Sequence, residues 1–411
     1  MINFERFVLA NGLKVLFHKD TTTPMAVVNV LYDVGARDET EDKTGFAHLF
    51  EHLMFGGSRH IPNFDSVLQK AGGENNAFTS NDITNYYDIL PAENLDTALW
   101  LESDRMLSLA FTPKSLEVQR NVVIEEFKQR YLNQPYGDIW LELRPLAYIA
   151  HPYKWATIGK NIKHIEDATM NDVKSFFSRY YCPSNAILCV AGNVELEEIK
   201  QKVNYWFGSI PSGKKLPRIL NAEPTQKDYR VKTILRNVPA DAFYFAFKMP
   251  ERKDPDYYIA DILSDILGRE KSSTLYIRLQ QELRLVTEIS CYIFGSLDTG
   301  LFIISGKLAE SISFEQFEQE FWLVVDEFLK EKINESELIA VKNKLKTSKA
   351  FQEQGLLNRA MNLSYFELLG DANGINEEFS LYDHVKISHI SSFAKKCLKK
   401  NNCSLLRVKK K

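Results

Sequence analysis

The sequence predicts an α+β fold made of two similar halves, and three observations carry that expectation. Strand-like and helix-like runs come in groups instead of strict alternation. A stretch rich in Pro, Gly and Lys falls near the middle of the chain. An early helical pattern then recurs beyond that stretch. At 411 residues the chain exceeds one ordinary domain, and length alone suggests about two to four.

In chain order, Phe7 to His18 holds two short apolar runs around Asn11-Gly12, as in a hairpin opening a sheet. Ala26 to Val34 is β-rich and stops at Gly35. Thr44 to Phe55 reads as the first clear helix, with Thr44 as N-cap and Gly56-Gly57 as the stop. Phe64 to Ala71 is a second, short helix. From Asn76 to Leu90 the residues Thr79, Ile83, Thr84, Tyr86, Tyr87 and Ile89 give strand-like material, with a turn near Ser80-Asn81-Asp82. Ala92 to Ser108 and Lys114 to Asn133 read as helices, and Ile187 to Val194 as a buried strand. Pro211, Gly213, Lys214, Lys215, Pro217 and Pro224 mark a linker. The expected division is therefore an N-terminal domain 1–212, a linker 213–227 and a C-terminal domain 228–411.

The second half repeats the first in outline. Phe243 to Met249 is a strand and Asp256 to Leu267 the helix after it. Laying Ala47–Leu53 on Ala260–Ile266 matches the apolar positions. His48, Glu51 and His52 then fall on Asp261, Ser264 and Asp265. The second half keeps a helix and loses its histidines.

Composition narrows the function classes. Apolar residues make up 45% and aromatics 12%, enough for a sizeable core. A net charge of -3 gives no bulk attraction to nucleic acid or to a membrane surface, so neither is expected as a partner. The terminal Lys409-Lys410-Lys411 reads as a solvated tail. Met1 to Ala10 carries no basic leader, and no run approaches the about 18 apolar residues of a membrane span. A soluble, cytoplasmic chain is expected. The five cysteines are odd in number and include no C-x-x-C pair, against both a disulfide framework and a thiolate metal site.

The strongest chemical signal is His48-Leu49-Phe50-Glu51-His52. On a helix, positions i and i+4 stand one turn apart on one face, so two imidazoles can grip one metal ion. Glu51 lies on the same face, placed to hold a proton from water. This is the H-x-x-E-H order of inverted zinc-peptidase helices. Two histidines and a Glu could equally be polar surface residues. Here Phe46, Leu49, Phe50, Leu53, Met54 and Phe55 flank them, so the helix is largely buried, and buried polar groups need partners. A catalytic zinc takes a third protein ligand and keeps one position open.

The motif, its Gly-Gly follow-up and the later run Gln119-Arg120-Asn121-Val122-Val123-Ile124-Glu125-Glu126 resemble the M16 metallopeptidases, the group of pitrilysin, insulin-degrading enzyme and mitochondrial processing peptidase. The resemblance covers nearly the whole chain. It implies two homologous α/β sandwich halves, each an antiparallel-rich sheet with helices packed on one face. It makes His48, His52 and Glu126 the ligands of one Zn2+ per chain, Glu126 being favoured over its neighbour Glu125, and Glu51 the general base. Gln119 departs from the pattern: many members carry Glu there, supporting the water or the ligands. Gly72 to Thr79, followed by Asp82 to Tyr87, matches a strand pair at a sheet edge. Its Asn76, Ala77 and Phe78 are expected to bind an extended peptide through the backbone. His60, His151 and His164 are read as structural.

Members of the family also use an Arg and a Tyr, seven residues apart in the second half, on substrate and intermediate. Here those positions fall on Gln280 and Thr287. The expectation is a zinc-dependent endopeptidase acting on peptides or unfolded segments. It would work in a dimer with a related subunit that supplies the missing pair, in preference to a homodimer. The alternative is a non-catalytic scaffold or binding subunit of a larger complex. No glycine-rich presequence-binding loop is visible; only Gly268, Gly295 and Gly300 lie in the relevant region.

Overall fold

A computed structural model describes residues 1–214 and 217–411; Lys215 and Leu216, part of the expected linker, lie outside the described residues. The first sheet is built from β1 (Glu5–Val8), β2 (Lys14–Lys19), β3 (Met25–Tyr32), β4 (Glu74–Thr79), β5 (Thr84–Pro91) and β6 (Ala186–Gly192). Their order across the sheet is β1-β2-β6-β3-β5-β4, which leaves β4 at an edge. Gly12, at φ +88°, turns the β1–β2 hairpin through the left-handed region that side chains resist. The second sheet holds β7 (Arg230–Arg236), β8 (Ala242–Met249), β9 (Val286–Phe294), β10 (Gly300–Leu308) and β11 (Cys403–Lys410), in the order β7-β11-β8-β10-β9.

With β1 set aside, both sheets place their strands in one succession: first, fifth, second, fourth, third. In both, the first and fifth strands pair parallel and all other neighbours antiparallel. The two halves are therefore duplicates in topology, where sequence similarity between them is faint. The helices around the sheets include α1 (Phe46–Leu53), α2 (Leu95–Leu107), α3 (Pro113–Phe127), α4 (Ile139–Ala147), α5 (Asp256–Ser264), α6 (Phe314–Phe328), α7 (Glu335–Gln352) and α8 (Leu356–Leu369). Helix α1 follows β3, and α5 follows β8. The match of Ala47–Leu53 to Ala260–Ile266 thus has a topological counterpart, although α5 ends at Ser264 and passes into a wider π turn over Asp265–Arg269.

By packing, the chain divides into two units. One comprises Met1–Phe127, Trp155–Leu220 and Lys349–Glu377; the other comprises Lys128–Lys154, Asn221–Ser348 and Glu378–Lys411. A cut at 213–227 separates the two sheets but not the two units. The reason is that both faces of each sheet are apolar, as in strands that read as near-continuous apolar runs. Each sheet carries helices of its own half on one face. In the first, α2 lies against β3 and β5. In the second, Phe243, Phe245 and Phe247 of β8 pack with Phe317, Phe321 and Trp322 of α6. The other face is covered by a helix from elsewhere in the chain. Helix α8 lays Ala360, Leu363 and Phe366 on Leu16, Val27, Leu31 and Ile187. Helix α4 lays Ile139, Leu143 and Ala147 on Ala246, Leu301, Ile303 and Leu406. No described helix is long and apolar enough to cross a membrane. All five cysteines are free and buried.

Candidate metal centre

Helix α1 is fixed at its start by a device different from the expected one. Thr44 does not cap it. Its hydroxyl instead bonds His164 Nδ1 at 2.9 Å and accepts the Lys160 N–H at 2.9 Å. The residue before the helix is Gly45, at φ +85°, where a Cβ would stand 2.7 Å from the Ile158 carbonyl oxygen. Two N–H groups at the helix start are taken by the buried Glu39 carboxyl group, which accepts from Gly45 at 2.9 Å and from Ala47 at 2.8 Å. Burial pushes the Glu39 carboxyl up to about 8, against the pull of those two bonds.

The apolar face of α1 then decides where its polar face points. Phe46, Ala47, Leu49, Phe50 and Leu53 are buried, and Phe50 meets Tyr181 with ring centroids 4.4 Å apart. That packing leaves His48 and His52 side by side, ring centroids 4.8 Å apart, with side chains 14% and 25% exposed. Glu126 arrives from the last turn of α3, where Val123 and Phe127 are buried. Its neighbour Glu125 is exposed. The chain continues from α3 into a π turn over Lys128–Leu132, a wider geometry frequent near functional sites.

The three side chains converge. His48 Nε2 lies 3.6 Å and His52 Nε2 3.4 Å from one oxygen of Glu126. The potential ligand atoms all fall within 4.8 Å of one another. Ligands about 2.0–2.2 Å from a tetrahedral zinc stand roughly 3.3–3.6 Å apart, so the two His–Glu separations already match that spacing. Two neutral imidazoles and one carboxylate are also the donor chemistry of a catalytic, open zinc site. The residues fit the ion.

Glu51 lies on the same helix face, half-buried. Its Oε2 accepts the Thr79 hydroxyl at 2.6 Å. Burial raises its proton affinity, the Thr79 hydroxyl and His52 oppose this, and Glu126 adds to it. Gln119 stands two turns before Glu126 on the same face of α3, half-buried.

Asn76, Ala77 and Phe78 sit on the edge strand β4, whose ladder partner is β5. Asn76 and Phe78 are exposed and Ala77 half-buried. The Ser80 N–H bonds the Ile83 carbonyl at 2.8 Å across the turn, so its neighbour Thr79, opposite Thr84, presents its main chain away from β5. In an antiparallel ladder this outward orientation recurs at every second residue. Ala77 therefore offers its main chain to the open edge as well, its N–H meeting Asn76 Oδ1 at 2.8 Å. Sequence reading missed Thr79 and Glu39. The alternation of Glu74–Thr79 could have put Thr79 on the inward face; nothing in the sequence marked Glu39.

The remaining histidines have local work. His60 Nδ1 bonds Asp104, and His151 Nδ1 accepts the Tyr153 N–H at 3.1 Å. In the second unit, Gln280 donates to the Thr287 carbonyl at 2.9 Å, so the two positions expected to carry Arg and Tyr are bonded to each other. Arg278 is engaged with Glu282 at 3.2 Å and Glu327 at 2.8 Å.

A duplicated α+β frame thus carries a two-imidazole, one-carboxylate cluster on paired helices beside an open sheet edge, the donor set of a candidate metal centre. Comparison with known proteins agrees. A family profile described as insulinase (peptidase family M16) matches residues 14–144, and one described as peptidase M16 inactive domain matches residues 167–345. The zinc protease PqqE of Helicobacter pylori is 32% identical over 344 residues, covering 82% of this chain and 77% of the relative. The mitochondrial-processing peptidase subunit beta of Saccharomyces cerevisiae is 25% identical over 362 residues, covering 83% and 76%. The crystal structure of a protease from Helicobacter pylori superposes with a TM-score of 0.93 at 29% identity, covering 100% of both chains. The chain belongs to the M16 peptidase family, and relatives named as zinc proteases point to zinc as the metal.

Proposed function

We propose that this chain is a zinc-dependent endopeptidase that hydrolyses peptides or unfolded segments. The observation that carries the reading is the convergence of His48, His52 and Glu126 within ligand distance of one another, with Glu51 on the same helix face. These three would hold one zinc ion. When bound, it would supply Lewis-acid polarisation of water and of the scissile carbonyl.

The chain's own residues do the rest. The outward main chain of β4 pairs with an extended substrate and presents one peptide bond beside Glu51. Thr79 occupies Glu51 Oε2, which leaves Oε1 to take a proton as water attacks the carbonyl carbon. The C–N bond then breaks, and Glu51 returns the proton to the departing amine nitrogen. Gln119, two turns before Glu126 on the same face of α3, can donate or accept a hydrogen bond but adds no charge.

A related subunit would complete the site with the Arg and Tyr absent at Gln280 and Thr287. Support comes from the bond between those two residues and from a similar protein whose name marks it as one subunit. We place the chain in the cytoplasm, as expected from its sequence; fractionation of the source cells tests this. The deciding experiment measures zinc content and cleavage of a mixed peptide pool, with and without a co-expressed related chain. Near one zinc per chain, with cleavage lost in Glu51→Gln, supports the enzyme. A metal-free, inert protein in both settings would make it a scaffold. Cleavage at a rate unchanged by any partner would end the subunit proposal.

A further inference from the structure

We infer that Thr79 is a positioning residue for the general base, and that it ties the substrate-pairing edge of β4 to the orientation of Glu51. The inference rests on the assignment of Glu51 as base. Glu51 has three side-chain torsions and stands on a short helix whose last residue is Leu53. Left alone, its carboxylate would sample several rotamers, of which few face the position between the two imidazoles and an incoming peptide bond. Thr79 removes that freedom from the opposite side. Its hydroxyl donates to Oε2 at 2.6 Å.

The placement of Thr79 gives the contact its meaning. It is the last residue of β4, the strand at the sheet edge. Opposite it on β5 stands the fully buried Thr84, whose hydroxyl bonds the Val34 carbonyl at 2.9 Å. The end of β4 is thereby anchored to the interior while its edge stays open. Thr79 is β-branched and stiff about its first torsion, so it transmits the strand's position to the carboxylate it holds. A peptide pairing along Ala77 would steady the same strand that fixes the base. Substrate alignment and base alignment then share one element.

Valine matches threonine in shape and lacks the hydroxyl. In Thr79→Val, zinc content should stay near one per chain, because none of the three ligands touches the altered group. The maximal rate should fall by about 10- to 100-fold, the effect of removing a hydrogen bond to a charged group, while KM changes by about twofold or less, since the lost contact is not with substrate. Thr79→Ser should restore most of the rate. The double variant Thr79→Val/Glu51→Gln should be no slower than Glu51→Gln alone, because Thr79 acts through Glu51.

A Thr79→Val enzyme within about twofold of the parent maximal rate overturns the proposal. So does a Thr79→Ser enzyme as slow as the Val variant, or a double variant slower than Glu51→Gln. If Thr79→Val fails to fold by circular dichroism, Thr79→Ala carries the same comparison. The failure of the underlying reading has a separate signature: Glu51→Gln would itself retain the parent rate.

Discussion

Helices α1 and α5 occupy the same step of one repeated topology, yet their polar faces do different chemistry. On α1, His48 and His52 present two imidazole donors, and α3 brings Glu126 within 3.6 Å of each. On α5 and the turn after it the corresponding residues are Asp261, Ser264 and Asp265. Asp265 meets Arg269 at 3.3 Å and Lys344 of α7 at 3.2 Å, while Asp261 accepts the Tyr382 hydroxyl at 2.8 Å. The carboxylates of the second half are thus met by the protein's own donors. A metal there would compete with two cations already in place. The duplicated frame supplies a buried helix beside an edge strand in both halves; the charge that the neighbouring helix presents decides whether that helix can take an ion.

The comparison is broken most severely at the ligands. Replacing His48, His52 or Glu126 by Ala should take zinc from near one per chain to near none, read by metal analysis. Glu51→Gln should keep zinc and lose about 10²- to 10⁴-fold in rate, the usual weight of a general base. Conversely, Asp261→His/Ser264→Glu/Asp265→His in the second half should leave the total near one zinc. Lys344 and Arg269 still repel a cation there. A second equivalent would show that the three helix residues alone suffice.

The next effect is on stability. Beneath the first-half site, Arg105 is 1% exposed, donates to Glu102 at 2.8 Å, and lies 4.4 Å from the Tyr86 ring centroid and 4.5 Å from that of Phe64. Arg105→Met should cost about 3–5 kcal/mol, because it removes the cation that faces the buried Glu102 and leaves the burial of that carboxyl uncompensated. Urea denaturation measures it. Lys344→Met should cost about 1 kcal/mol or less, since Lys344 is 39% exposed in its side chain and Arg269 still faces Asp265.

Two buried groups, Glu39 in the first unit and Lys248 in the second, should contribute to stability with opposite dependence on pH. Glu39, raised to about 8 by burial, keeps its proton in the folded state over a range where the unfolded chain has lost it. Its contribution is full below about 4.5 and fades as pH climbs through 8. Lys248 goes the other way. Burial lowers it to about 7, although it lies 3.3 Å from Glu223 and 3.4 Å from the Tyr148 ring centroid. The unfolded chain binds the extra proton between about 7 and 10.5, so stability rises with pH across that window. Glu39→Gln should flatten the first slope and Lys248→Met the second, in denaturation series at matched ionic strength.

Much of the site was legible from spacing. The i, i+4 histidines with Glu51 between them predict a metal-binding face, because helical geometry is local. The apolar flanks of α1 predict that this face is partly buried. Glu126 is implied only by the family resemblance: its place opposite the histidines depends on how α3 lies against α1. Thr44 is the clearest misreading. It is a cap-type residue before an apolar run, but Gly45 turns the chain away and the distant Glu39 accepts the N–H groups instead. Capping needs an acceptor near the first turn, and a buried carboxylate from an earlier loop satisfies that as well as an adjacent hydroxyl.

By itself the sequence determined the periodicities, the break near the middle of the chain and the one helix able to offer two imidazoles. These follow from backbone geometry and from which side chains water rejects. Only the tertiary structure decided that α8 closes the first sheet and α4 the second. It likewise brought Thr79 to Glu51, and set Lys344 against Asp265 where Glu126 meets His52. Such pairings join residues far apart in the chain, and their energies arise only once packing has excluded water and fixed the distances.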